Sequence, residues 1–232
     1  MTFQEVVGLD PDKFFRVCDV LTPRNVDSFA IFERDCAIRT IGLPADRTRA
    51  LDLGCGIRDP EVAVRMMGVD RLANVQPDIL CDFDRDPLPL ADDSVDFVHS
   101  HMVLEHINNF FPLFEELHRV TTAGAILDLW MPWWASHRTW GDPTYVRSFT
   151  FQTFSFLNRE AYRNGSGKTT MGQYVPNCDF QPVHSVLVID DGLAELPVEE
   201  RDRLICHGVD VVRAYWIILK TVKPVRSASG DS

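Results

Sequence analysis

Three carboxylates sit within or just after short apolar runs: Asp52 in Leu51-Asp52-Leu53, Asp70 after Gly68-Val69, and Asp82 after Ile79-Leu80-Cys81. Between the first two lies Gly54-Cys55-Gly56. A strand that ends in Gly-x-Gly turns through positive φ and leaves no side chain between its main chain and a ligand, so the loop can lie flat against one. A dinucleotide site needs a third glycine and rests a pyrophosphate on the next helix. Here Asp59 holds that position, and Asp52 adds a second carboxylate that would repel phosphate. The loop therefore suits a ligand that carries positive charge and no phosphate.

S-adenosylmethionine is such a ligand, with an ammonium, a sulfonium and a ribose. In an open parallel sheet the ligand lies across the carboxyl ends of the strands, where a carboxylate at the tip of the second strand can accept both ribose hydroxyls. That role falls to Asp70, with Arg71 beside it. Asp82 can accept from an adenine amino group while Phe83 covers the ring. Asp52, Gly54, Cys55 and Gly56 complete the cofactor loop, and Ser100 and His101, ending a further apolar run, would face the reacting methyl. His137 is the first choice for a general base and His101 the second, because imidazole titrates near neutrality; packing or helix capping is the alternative for each. His106 lies one step inside a stretch that must bury one face, and it reads as structural.

These residues need a scaffold that alternates strands with helices. Apolar runs at residues 50–53, 68–70, 78–83, 95–100 and 125–131 read as strands, and residues 60–67, 101–107 and 114–120 as helical. That alternation is the pattern of a doubly wound α/β sheet. Two further strands, at 183–189 and 211–221, flank an acidic helix at 198–206. Residues 1–48 are expected to form two or three helices, from the spacing of Phe14, Phe15, Cys18, Val20 and Leu21 and then of Phe29, Ile31, Phe32 and Ile38.

Residues 132–180 form an aromatic, turn-rich insertion with Trp133, Trp134, Trp140, Tyr145, Phe149, Phe151, Phe154 and Phe156, either lining a pocket or packing a cap. Within it, Trp134, His137, Trp140, Asp142, Tyr145 and Arg147 are the acceptor-side candidates, with Asp142 and Arg147 orienting either the acceptor or each other. Arg147 could grip an acceptor carboxylate or phosphate. The stretch from Gly165 to Thr170 lacks the first glycine of a phosphate-binding loop and reads as an open loop, and the tail from Ser227 as frayed.

At 232 residues and 45% hydrophobic content, one domain is expected: a cap at 1–48, a cofactor core at 49–131, an insertion at 132–180 and closing strands at 181–226. A formal charge of −11 without a basic stretch opposes a nucleic-acid backbone or an anionic membrane. No apolar run is long enough to span a bilayer, so a soluble, cytoplasmic protein acting on a small molecule is expected, and a homodimer is compatible. The six cysteines form no close pair, which argues against a metal or redox motif and leaves Cys55 as a small filler beneath the cofactor.

The ordered set Leu51-Asp52-Leu53-Gly54-Cys55-Gly56, Gly68-Val69-Asp70, Cys81-Asp82, Leu88-Pro89-Leu90 with Ser94-Val95-Asp96-Phe97-Val98, and Val103-Leu104-Glu105-His106-Ile107 resembles the class I S-adenosylmethionine-dependent methyltransferases. The stretch Gly141-Asp142-Pro143-Thr144-Tyr145-Val146-Arg147 also resembles an Asp-Pro-Thr-His-x-Arg element of a bacterial branch, with Tyr145 in place of the histidine. The resemblance implies a Rossmann-like, mostly parallel sheet of seven strands with the last antiparallel. It further implies S-adenosylmethionine as cofactor, S-adenosylhomocysteine as product, and methyl transfer to oxygen or nitrogen. Two other readings are a non-catalytic protein that keeps this fold and a nicotinamide dehydrogenase, which the missing third glycine disfavours.

Overall fold

The computed structural model describes residues 19–21, 43–58, 60–150, 152–159, 176–189, 195–207 and 212–224. Most of the expected N-terminal cap, the Gly165–Thr170 stretch and the tail lie outside them. In chain order the described elements are β1 (Asp19–Leu21), β2 (Ala50–Leu53), α1 (Pro60–Ala63), β3 (Met67–Asp70), β4 (Ile79–Leu80), β5 (Val95–His101), α2 (Phe110–Val120), β6 (Thr121–Met131), α3 (His137–Gly141), β7 (Phe180–Ile189), α4 (Val198–His207) and β8 (Val212–Thr221).

One sheet holds them all, in the order β1-β7-β8-β6-β5-β2-β3-β4. β8 runs antiparallel to both of its neighbours, and the other pairings are parallel. Leaving β1 aside, this is the expected Rossmann-like, doubly wound sheet of seven strands with the last one reversed. β1 is the departure: Val20 and Leu21, expected in a helix, pair in parallel with Leu187 and Val188. An edge strand exposes unpaired N–H and C=O groups, and here the N-terminal segment supplies the partner that β7 would otherwise lack.

Local sequence explains the main elements. α2 places Phe110, Leu113, Phe114 and Leu117 on one face, the spacing of an amphipathic helix, and buries them with Leu51, Leu53, Val98, Leu127 and Leu129 of the sheet. Fully burying such a side chain stabilises by about 1.5–3 kcal/mol. Much of the aromatic insertion joins that core: Phe149 and Phe154 stack at 5.8 Å and lie 6.2 and 6.0 Å from the ring of Phe110. Phe149, Phe154 and Trp133 are buried as packing. The opposite face of the sheet buries Trp130, Val186, Val188, Trp216 and Ile218.

Several boundaries move. The strand expected at 78–83 shortens to Ile79–Leu80: before it the Asp78 carboxylate accepts from the Gly68 N–H at 2.8 Å and from Arg47 and Arg58 at 2.6 Å, and after it the chain turns, with the Arg85 and Asp86 N–H groups donating to Asp82 O at 2.8 and 2.7 Å. The helix expected over 101–107 is a single 3-10 turn, Leu104–His106, after Met102 adopts φ 54°. β6 begins four residues early, directly from α2, and absorbs the expected turn as a bulge: Val95 pairs with Thr121 and Phe97 with Ile126.

Candidate active site

Parallel strands end at the same edge, and that edge gathers the candidates. Gly54 and Gly56 have φ of 70° and 52°, the left-handed region that glycine reaches without a steric penalty. A Cβ on Gly54 would stand 2.4 Å from Val103 Cγ2, so the loop is pressed against the segment that follows β5; at Gly56 nothing lies within 4 Å of that position. The Gly54 and Cys55 N–H groups donate to Val69 O at 2.8 and 3.2 Å, which fixes the loop on β3.

Asp70 ends β3 and is 7% exposed. Its Oδ2 accepts from the Gly56 N–H at 3.0 Å and its Oδ1 from the Leu72 N–H at 2.9 Å. An ionised carboxylate has about four lone-pair sites, so two remain for a ligand. Arg71 beside it is exposed. Asp82 and Phe83 lie just past β4; Asp82 Oδ1 accepts from the Asp84 N–H at 3.3 Å, and Phe83 is half-buried against the main core. Cys55 is buried, and burial followed by the charge of Asp52 pushes its thiol up to about 11, which suits a filler and not a nucleophile.

Asp52 is buried on β2 in register with His99 of β5, which is in register with Asp128 of β6. His99 Nδ1 lies 2.6 Å from Asp128 Oδ2, and Asp128 Oδ1 accepts from Trp216 Nε1 at 2.5 Å and Trp130 Nε1 at 3.2 Å. Sequence reasoning missed this cluster, since a lone His and a lone Asp in separate apolar strands carry no local signal. Ser100 is fully buried with no hydrogen bond to its Oγ among the described residues, while His101 is half-buried where β5 ends.

The acceptor-side candidates divide into two groups. Trp134, His137 and Trp140 face solvent: His137 opens α3, and Trp140, 71% exposed, donates through Nε1 to Trp134 O at 2.9 Å. Asp142, Tyr145 and Arg147 dock on the corner between β5 and α2. Asp142 Oδ1 accepts from the Thr144 N–H and hydroxyl at 2.9 and 2.6 Å, and Thr144 Oγ1 meets His106 Nδ1 at 3.0 Å. Tyr145 packs edge-on to the His106 ring at 4.8 Å, and the Val146 N–H donates to Glu105 O at 2.8 Å. Arg147 donates to Ile107 O at 3.0 Å and Asn108 O at 2.9 Å, with its guanidinium 4.8 Å from the Phe110 ring centre. No ion pair joins Asp142 to Arg147. Burial lowers the Arg147 pKa despite the opposing charge of Asp84.

Glu105 was not among the candidates. It is fully buried in the Leu104–His106 turn, and burial pushes its carboxyl up to about 7. Neither oxygen meets hydrogen-bond geometry, although the Tyr145 hydroxyl lies near enough to favour the charged form. Among the described residues no group of three His, Cys, Asp or Glu side chains is placed to hold a metal, and no helix is long and apolar enough to cross a membrane.

Residues 51–128 match the model of the methyltransferase domain family. A search of curated proteins gives no sequence match. Among solved structures, a SAM-dependent methyltransferase from Archaeoglobus fulgidus is similar at 17% identity and TM-score 0.57, covering 84% of this chain and 95% of that one. One from Aquifex aeolicus is similar at 14% identity and TM-score 0.50, covering 92% and 100%. A Haloferax volcanii complex of the Trm112 methyltransferase activator with a methyltransferase gives 15% identity and TM-score 0.53, covering 84% and 93%. The strand order with its reversed last strand is that of the Rossmann-like methyltransferase fold, and the glycine loop and the domain matched over residues 51–128 are consistent with a class I S-adenosylmethionine-dependent methyltransferase. The open, bare-backbone loop beside buried carboxylates fits S-adenosylmethionine, a ligand that carries a sulfonium and an ammonium and no phosphate.

Proposed function

We propose that the protein transfers a methyl group from S-adenosylmethionine to an oxygen or nitrogen of a small-molecule acceptor. The observation that carries this reading is the loop itself: Gly56 presents bare main chain with open space before it, and the buried Asp70 holds it in place. In this reading Asp70 and Arg71 receive the ribose, Asp82 and Phe83 the adenine, and Asp52, Gly54, Cys55, Gly56, Ser100 and His101 the methionine end. The bound cofactor supplies an electrophilic methyl on a sulfonium. The chain aligns the acceptor with it, and alignment alone can lower a barrier by about 7–11 kcal/mol. His137, exposed at the head of α3, is the first candidate to take a proton from a hydroxyl acceptor, and His101 the second. Trp134, Trp140 and Tyr145 form the acceptor wall, and Arg147 pins it.

A small acceptor fits the charge of −11, which opposes a nucleic-acid substrate. The same reading takes the chain as one cytoplasmic domain. Calorimetry with S-adenosylhomocysteine, then product release over a panel of sugars, phenols and amines, tests it. Micromolar binding with turnover of one acceptor class is expected. Absence of cofactor binding by correctly folded protein would sink the enzyme reading.

A further inference from the structure

The segment that runs over the Leu104–His106 turn is anchored at its two ends and thinly held between them. At one end Thr139 is buried, and its hydroxyl donates to Trp133 O at 2.6 Å. At the other Arg147 donates to Ile107 O and Asn108 O, and Phe149 is fully buried. Between Thr139 and Phe149 no residue is buried. The middle meets the turn through the Val146 N–H on Glu105 O at 2.8 Å, the Thr144 hydroxyl against His106 Nδ1 at 3.0 Å, and the Tyr145 ring edge-on to His106. Asp142–Val146 is thus a strap across the turn.

Beneath the strap sits a group that suits one charge state better than the other. The Glu105 side chain is 0% exposed, and its ionised form would have the Tyr145 hydroxyl as donor where a solvated carboxylate has water at every lone pair. Burial therefore favours the neutral acid. The surrounding charges do not reverse this. On the turn itself His106 directs Nδ1 to Thr144. The strap contributes Asp142, which is negative, and Tyr145, whose own ionisation is disfavoured by burial and by Glu105. Arg147 commits Nε and Nη2 to carbonyls and faces Asp84, and Arg138 of α3, which acts on Tyr145, is exposed. From the cofactor side, Val103 and Gly54 bring no charge.

We propose that the strap is released when Glu105 gives up its proton to solvent, so that rising pH increases the share of molecules whose acceptor side is open. Lifting Asp142–Val146 lets water reach the carboxylate and costs only the contacts named above. Full unfolding would relieve the same charge but would also expose Phe110, Phe114 and Phe149 of the main core, so the strap gives way first. The switch goes beyond the methyl-transfer reading; only its meaning for an acceptor rests on that reading.

Amide hydrogen exchange, followed by NMR on the cofactor-free protein and corrected for the intrinsic rate at each pH, tests it. The carboxyl rises from 4.5 to about 7 under the docked strap, so docking weakens by about tenfold per pH unit between those values. From pH 5 to pH 7 the protection of the Val146 amide should fall on the order of a hundredfold relative to Glu105→Gln, which keeps the size and has no proton to lose. His106 is common to both proteins and cancels in their difference. A flat profile in the native protein, which needs no variant, overturns the proposal. So does Val146 protection equal at each pH to that of Leu127 and Leu129 in β6, because the strap would then open only with the whole fold. S-adenosylhomocysteine binding is measured separately by calorimetry, and its absence would sink the methyl-transfer reading without altering these profiles.

Discussion

Removing the Glu105 charge should change how stability depends on pH. Burial raises the carboxyl from 4.5 to about 7 in the folded chain, while the unfolded chain keeps the ordinary value. Between those values the folded state binds more protons than the unfolded state, so its stability falls as pH rises. The contribution is fully present below about 4.5 and is lost once the pH has passed about 7. At 1.36 kcal/mol per unit the loss is on the order of 3 kcal/mol, and no solvent discount applies because the side chain is fully buried. Glu105→Gln has no such proton. Its buried amide carries a penalty, but one that does not vary with pH, and every other titrating group cancels in the difference between the two proteins. Urea unfolding of both at intervals from pH 5 to pH 8 reads that difference directly. The native protein should lose roughly 2–3 kcal/mol relative to the variant across the interval, equivalent to roughly 4–12 °C in Tm for a chain of this size. Parallel pH profiles would show that Glu105 is solvated or paired in solution and would refute the reasoning.

Three further substitutions separate the site's parts. Gly54→Ala should destabilise by about 1–2 kcal/mol from its left-handed φ alone and further from the Val103 contact, and adding Val103→Ala should recover only the second part, read by urea midpoints. Asp70→Ala should weaken S-adenosylhomocysteine binding by roughly 1.5–3 kcal/mol and also lower Tm, because the same carboxylate holds the Gly56 and Leu72 N–H groups; unchanged calorimetric affinity would remove it from the site. Arg147→Ala should cost about 1–3 kcal/mol of stability through its two carbonyl contacts and its Phe110 stacking, with turnover per folded molecule retained. A loss of turnover without a loss of stability would return Arg147 to the acceptor.

The sequence by itself determined the elements whose causes are local. Gly54 and Gly56 mark a left-handed loop because only glycine adopts it freely, and the α2 spacing of Phe110, Leu113, Phe114 and Leu117 specifies a buried face wherever that helix lies. The alternation of apolar runs and helices was enough for a doubly wound sheet. What only the tertiary structure decided are relations between segments distant in sequence. Asp78 is held just before β4 because Arg47, Arg58 and the Gly68 N–H converge on it, and Asp19–Leu21 is a strand because β7 has an open edge beside it. Arg147 reads from the sequence as either a ligand grip or a structural pin, and the Ile107 and Asn108 carbonyls that receive it lie too far away in the chain to leave a mark in local spacing. Glu105 reads in the sequence as an ordinary helix glutamate beside a histidine. Its burial depends on Tyr145 and Val146 closing over it from forty residues away, and desolvation of that kind leaves no trace in local spacing.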